Sequence, residues 1–139
     1  MNEDLQARLL QWDHVAVSSD GSPSGFHPRG HGTFAKIIEQ YVAEQELLSL
    51  PQAVRKMTSF PAGVLGIEDR GTLRPGYKAD IVVFDPAEVR ALATYTEPLQ
   101  LAEGFDLVIV NGTIARQDGR LGETLAGRVL APKSKEQAE

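Results

Sequence analysis

The chain has 139 residues, 42% of them hydrophobic and 24% charged, which suits one globular domain with a single modest core and excludes a disordered polymer. Its 14 basic and 19 acidic residues give a net charge of −5 spread along the chain, so no basic stripe tracks nucleic acid, and no apolar run approaches the ~18 residues of a membrane span. With no cysteine there are no disulfides or thiolate metal ligands, and with no basic amino-terminal region ahead of an apolar one a secretory signal is not expected, so a cytoplasmic location is the expectation.

The opening "NEDLQARLLQW" sets Leu5, Leu9 and Trp12 at helical spacing behind Glu3 and Asp4, which predicts a helix over 3–12. "HVAVSS" is too short for a helix and is cut off by "DGSPSG", predicting a buried strand that ends just before Asp20 and a polar loop after it. Phe34, Ile37, Ile38, Tyr41 and Val42 recur at three- and four-residue steps, an apolar stripe that predicts a helix over 33–47. A further helix over 50–57 is expected in "SLPQAVRKMT", with Ser49 as its cap and Pro51 in its first turn, followed by a short turn near 60–65. The Thr33 helix, the "QAVRKM" helix, Val15 and Val17 are expected to pack together.

Beyond Gly71 and Gly76 the pattern changes to β-branched runs, predicting strands near 79–84, 106–110, 113–117 and 127–130 in an antiparallel sheet. Asn111-Gly112 between two of them signals a two-residue hairpin, and "AEVRALATYTEPLQLAEG" reads as a loose linker. The fold class is α+β.

Chemistry-bearing residues gather between Asp20 and His31. An acid leaving a strand into a Gly, Ser and Pro loop suits either a catalytic group at a strand's carboxyl end or an Asx cap of the turn. Arg29 suits a clamp on a carboxylate or an ordinary surface position. His27 and His31, four apart, would share a metal-binding face on a helix, but Pro28 and Gly30 argue against a regular helix there, and His14 has no partner in sequence. No phosphate-binding loop, dinucleotide glycine pattern or nucleophile-elbow serine is present.

Three stretches in order, "SSDGSPSGFHPRGHGTF", "SLPQAVRKMTSFPAGVLGIEDRGTLRPGYKADIVVFDP" and "VIVNGTI", closely resemble the carboxyl-terminal part of the N-acyl-D-amino-acid deacylases (D-aminoacylases) of the amidohydrolase superfamily. The resemblance implies a zinc-bearing (β/α)8 barrel joined to a small β-sandwich built from both chain ends. Residues 1–66 would be the end of the barrel with one barrel-like strand, 67–131 part of the sandwich, and 132–139 a polar tail. It also implies that Asp20 is the catalytic acid that takes a proton from the metal-activated water and passes it to the leaving amine, and that Arg29 binds the substrate's carboxylate.

His27 and His31 match no metal ligand of the family. The family's His-x-His pair, its cysteine or modified lysine and its later histidines have no counterparts here, and a whole barrel needs about 250 residues. The expectation is therefore a carboxyl-terminal piece of a deacylase of N-acyl-D-amino acids, without bound zinc and inert alone. The alternative is an independently folded, non-catalytic module, a homo-oligomer or a small-carboxylate binder acting through Arg29, with orphan strand edges buried against a second copy.

Overall fold

The computed structural model describes residues 2–22 and 24–131, so the tail expected at 132–139 lies outside the described residues. Helix α1 (Glu3–Leu10) starts where the Asn2 side chain accepts the Asp4 N–H at 2.8 Å, with Glu3 and Asp4 facing the positive end of the helix dipole. It buries Leu10 and stops there, leaving Trp12 63% exposed rather than on the expected helical face.

The strand expected at Val15–Val17 has no sheet partner among the described residues. Burial alternates residue by residue from Val15 to Asp20, the period of an extended chain. Its polar backbone is satisfied by a helix end instead: the Val17 N–H donates to the Lys56 carbonyl at 3.0 Å, and the Lys56 ammonium donates to the carbonyls of Val15, at 3.1 Å, and Trp12.

Helix α2 (Arg29–Lys36) begins four residues before the expected Thr33. Pro28 stands at its amino-terminal edge, where a missing N–H costs nothing, and the Gly32 N–H already reaches the Pro28 carbonyl at 2.8 Å. From Ile37 to Glu44 the helix widens into a π segment, and the Gln45 N–H donates five residues back to Gln40 at 2.9 Å. The apolar pairs Ile37–Ile38 and Tyr41–Val42 suit either winding, so periodicity could not distinguish them.

Helix α3 (Leu50–Met57) carries the expected cap in reciprocal form. The Ser49 hydroxyl accepts the Gln52 N–H, and the Gln52 side chain accepts the Ser49 N–H at 2.9 Å. The short helix α4 (Ser59–Val64) follows and buries Ala62. No helix among the described residues is long and apolar enough to cross a membrane.

Strands β1 (Ile81–Phe84), β2 (Phe105–Val110), β3 (Thr113–Gln117) and β4 (Arg120–Leu121) form one antiparallel sheet in the order β1-β2-β3-β4. Asn111 and Gly112, at φ 49° and 80°, make the expected hairpin turn; Asp118 and Gly119, at φ 48° and 78°, make a second one that returns β4 onto β3. The strand expected at 127–130 does not form, and Val129 is fully exposed. The Asp118-Gly119 turn delivers Arg120 and Leu121 to the β3 edge first, leaving the "RVLA" run without a partner row.

A polar knot ties these parts together. The Arg70 guanidinium bonds the Asp80 carboxylate and the Asn111 side-chain oxygen, the Asn111 N–H donates to Asp80 at 2.8 Å, and its side-chain amide donates to the Ala126 carbonyl at 2.6 Å. Burial raises the Asp80 pKa, but the Asn111 N–H and the Arg70 cation outweigh it and hold the carboxyl below its ordinary value.

Two apolar clusters meet along the α2 and π segment. Ile37 and Tyr41 join Leu10, Leu48 and Ala53, with Val17 packed alongside as expected, while Ala35 and Ile38 join Val89, against which Phe84 and Phe105 pack. The linker expected to be loose is pinned here: Val89 is fully buried, Arg90 and Glu103 exchange backbone hydrogen bonds at 3.2 and 3.0 Å, and the Ala91 N–H donates to Glu39 at 2.9 Å. On the sheet face opposite Phe84, the register groups Ile81, Val83, Leu107, Ile109 and Ile114, with Val83 and Ile114 still 45% and 47% exposed.

Candidate active site

Asp20 ends the extended segment in the left-handed backbone region at φ 47°, an uncommon conformation that aspartate tolerates better than most residues. Two serines stabilise this bend: the Ser18 hydroxyl accepts the Asp20 N–H at 3.4 Å, and the Ser19 hydroxyl accepts the Gly21 N–H at 3.2 Å. Gly21 then lies on the first turn of α2 so closely that a Cβ there would stand 3.2 Å from the Gly30 Cα. A side chain at Gly21 would crowd the helix backbone and require a shift of a few tenths of an ångström.

This contact brings Asp20 to Arg29, the first residue of α2. Arg29 Nη2 meets Asp20 Oδ2 at 2.9 Å, and the Arg29 Nε–H donates to the Asp20 carbonyl at 3.3 Å. The side chains are 47% and 81% exposed, respectively, so the pair stands in solvent and contributes little to stability. Its arrangement suits ligand exchange, since an arginine fork engages an incoming carboxylate with the same geometry.

His27 lies just outside α2 and His31 inside its first turn, so the two do not share a regular helical face. His27 Nδ1 accepts the Arg29 N–H at 3.1 Å, and its ring meets Tyr95 edge-on with centroids 5.1 Å apart. His14 is exposed at the turn after α1. Among the described residues no three His, Asp or Glu side chains gather in a group able to hold a metal ion.

Two contributors escaped the sequence reading. Tyr95 lies in the linker, more than sixty residues from His27, with no local pattern tying the two. Lys56, 3% exposed, anchors the segment leading to Asp20 from below. Burial pushes the Lys56 amine below its ordinary pKa, against the pull of Asp13 and with reinforcement from Arg55. The available signal was spacing: Lys56 falls three residues after the buried Ala53, on the same face of α3.

The amidohydrolase family model matches residues 7–116. The chain is 43% identical over 127 residues to an N-acyl-D-aspartate deacylase of Alcaligenes xylosoxydans xylosoxydans, a match that covers 90% of this chain and 26% of the relative. The crystal structure of a D-aminoacylase described as defining a novel subset of amidohydrolases superposes with a TM-score of 0.89 at 40% identity, over 94% of this chain and 28% of that one. An N-acyl-D-glutamate deacylase from Bordetella bronchiseptica, solved with zinc and a phosphonate inhibitor, superposes with a TM-score of 0.80 at 42% identity, over 91% and 28% of the two chains. The chain thus spans between a quarter and a third of the length of these relatives. With the family model running from α1 to β3 and the backbone superposing on two of its solved members, the chain belongs to the amidohydrolase family.

Proposed function

We propose that this chain is the carboxyl-terminal portion of a metal-dependent amidohydrolase that cleaves the amide bond of N-acyl-D-amino acids. The observation that carries the reading is the Asp20–Arg29 pair, an acid and a carboxylate-binding fork held side by side within a chain that resembles deacylases on both sides of the site. Arg29 engages the substrate's free carboxylate and in doing so releases Asp20 from its ion pair. The freed carboxylate of Asp20 accepts a proton from the attacking water as the water oxygen bonds the acyl carbon, then returns that proton to the amine nitrogen as the C–N bond breaks.

The described residues do not supply a zinc ligand set, so the zinc found in the related deacylase is held, in this reading, by ligands from other parts of the enzyme. Residues 1–66 correspond to the end of the barrel, with the extended stretch before Asp20 as its last strand, and 67–131 to part of the sandwich. The half-exposed apolar face carrying Val83 and Ile114 supports a second layer supplied from outside this chain. Alone, the chain is inert.

A graft tests this. Replacing the matched segment of a D-aminoacylase with this chain is expected to retain zinc-dependent turnover, and Asp20→Ala in the graft to lower kcat by roughly 10²–10⁴-fold. Hydrolysis of N-acetyl-D-aspartate by the isolated chain, rising with bound zinc, would overturn its inertness; a graft whose rate ignores Asp20 would overturn the catalytic role.

The exposed apolar residues Val82 and Val83 on the edge strand β1 favour a second reading, a self-associating module without catalysis. Light scattering would then report a dimer that Val83→Lys dissociates; a monomer at all concentrations removes this reading.

A further inference from the structure

We propose that His27 is the positioning residue for Arg29, fixing the root of the arginine so that its guanidinium meets a carboxylate in one orientation. The proposal rests on the reading of Arg29 as the substrate's carboxylate binder. A helix leaves its first N–H groups without internal partners, and Pro28 at the edge of α2 offers no side-chain acceptor for them. His27 supplies both missing bonds. Its Nδ1 accepts the Arg29 N–H at 3.1 Å, and its carbonyl accepts the Gly30 N–H at 3.1 Å.

The other end of the Arg29 backbone is tied as well, because the Thr33 hydroxyl donates to the Arg29 carbonyl at 2.8 Å. With both backbone groups held, the guanidinium reaches the Asp20 carboxylate and carbonyl together. An imidazole that accepts through Nδ1 and is neutral carries its proton on Nε2, so the bond also selects one tautomer. Tyr95, itself 80% exposed, meets the ring edge-on at 74°, on a segment held by the Ala91–Glu39 hydrogen bond and buried Val89. His27 thereby acquires a task that neither a metal ligand nor a solvent-facing loop histidine would perform.

The test uses the 139-residue chain labelled for NMR. In the unsubstituted protein the imidazole nitrogens are expected to report Nε2–H with Nδ1 unprotonated; a neutral ring protonated on Nδ1 overturns the proposal without any substitution. His27→Phe keeps a ring against Tyr95 and removes the acceptor, and it should speed exchange of the Arg29 backbone N–H by about fivefold, the factor that one ordinary net hydrogen bond supports, and speed exchange of the Nε–H with it. His27→Asn, whose side-chain oxygen caps helices, should restore slow exchange. Unchanged exchange in His27→Phe, or no recovery in a folded His27→Asn, overturns the role of His27. Acetate titration separates the two ideas: a wild-type Arg29 Nε–H that acetate does not shift overturns the carboxylate reading of Arg29, whereas the exchange rates decide the role of His27 either way.

Discussion

At Asp20 the sequence offers two roles, turn cap and proton carrier; the bend is closed by the Ser18 and Ser19 hydroxyls, and the Asp20 carboxylate turns to Arg29. The meeting with Arg29 was not legible, because nine residues separate them and the loop path depends on the Gly21–Gly30 contact. Because the pair stands in solvent, Arg29→Met should change unfolding free energy by less than about 1 kcal/mol in a urea titration, and a larger loss would contradict its exposed setting. Asp80 is the opposite case, a paired and partly buried carboxyl. Asp80→Ala should cost roughly 2–3 kcal/mol by leaving Arg70 and the Asn111 N–H without their partner. Its folded pKa lies below the ordinary 3.8, so this contribution is fully present above pH 3.8 and is lost as pH falls through the folded value. In urea titrations down an acid series the gap between the two proteins should therefore narrow as pH falls through the folded value, and a constant gap would contradict the assignment.

Elements announced by their ends were the legible ones. Ser49, Pro51 and Gln52 declare α3 before any tertiary contact is known, and Asn111-Gly112 declares the β2–β3 hairpin, since each motif satisfies its own backbone locally. Ser49→Ala should accordingly cost about 1 kcal/mol by chemical denaturation, with α3 amides exchanging faster than those of β2. Where an element depends on a distant partner the reading failed. Val15–Val17 is satisfied by the end of α3 and not by a neighbouring strand, and 127–130 lost its place on the sheet to the two residues returned by the Asp118-Gly119 turn. Pro28 misled in a different way, because proline disrupts a helix interior yet is tolerated at its first turn, and composition does not say which applies.

Across the whole molecule, the two apolar clusters share Met57 and are bridged by the α2 and π segment, so the helical and sheet halves do not have separate interiors. This was half visible: the sequence announced helices followed by a sheet, but the linker that joins them looked like spacer because its one fully buried side chain, Val89, has no periodic neighbours. Val89→Ala should destabilise the protein by roughly 2 kcal/mol and lower the unfolding midpoints of α2 and β2 amides together. Separate midpoints would mean that the halves are independent. The Ala91–Glu39 bond spans 52 residues of sequence, which gives the site a birth order. At about 5–20 residues per second of synthesis, the Arg29 helix waits roughly 3–10 s for the strap that braces it. A released chain ending at Glu88 should therefore exchange its α2 amides faster than the full-length chain, and equal exchange would show that the strap does not brace them.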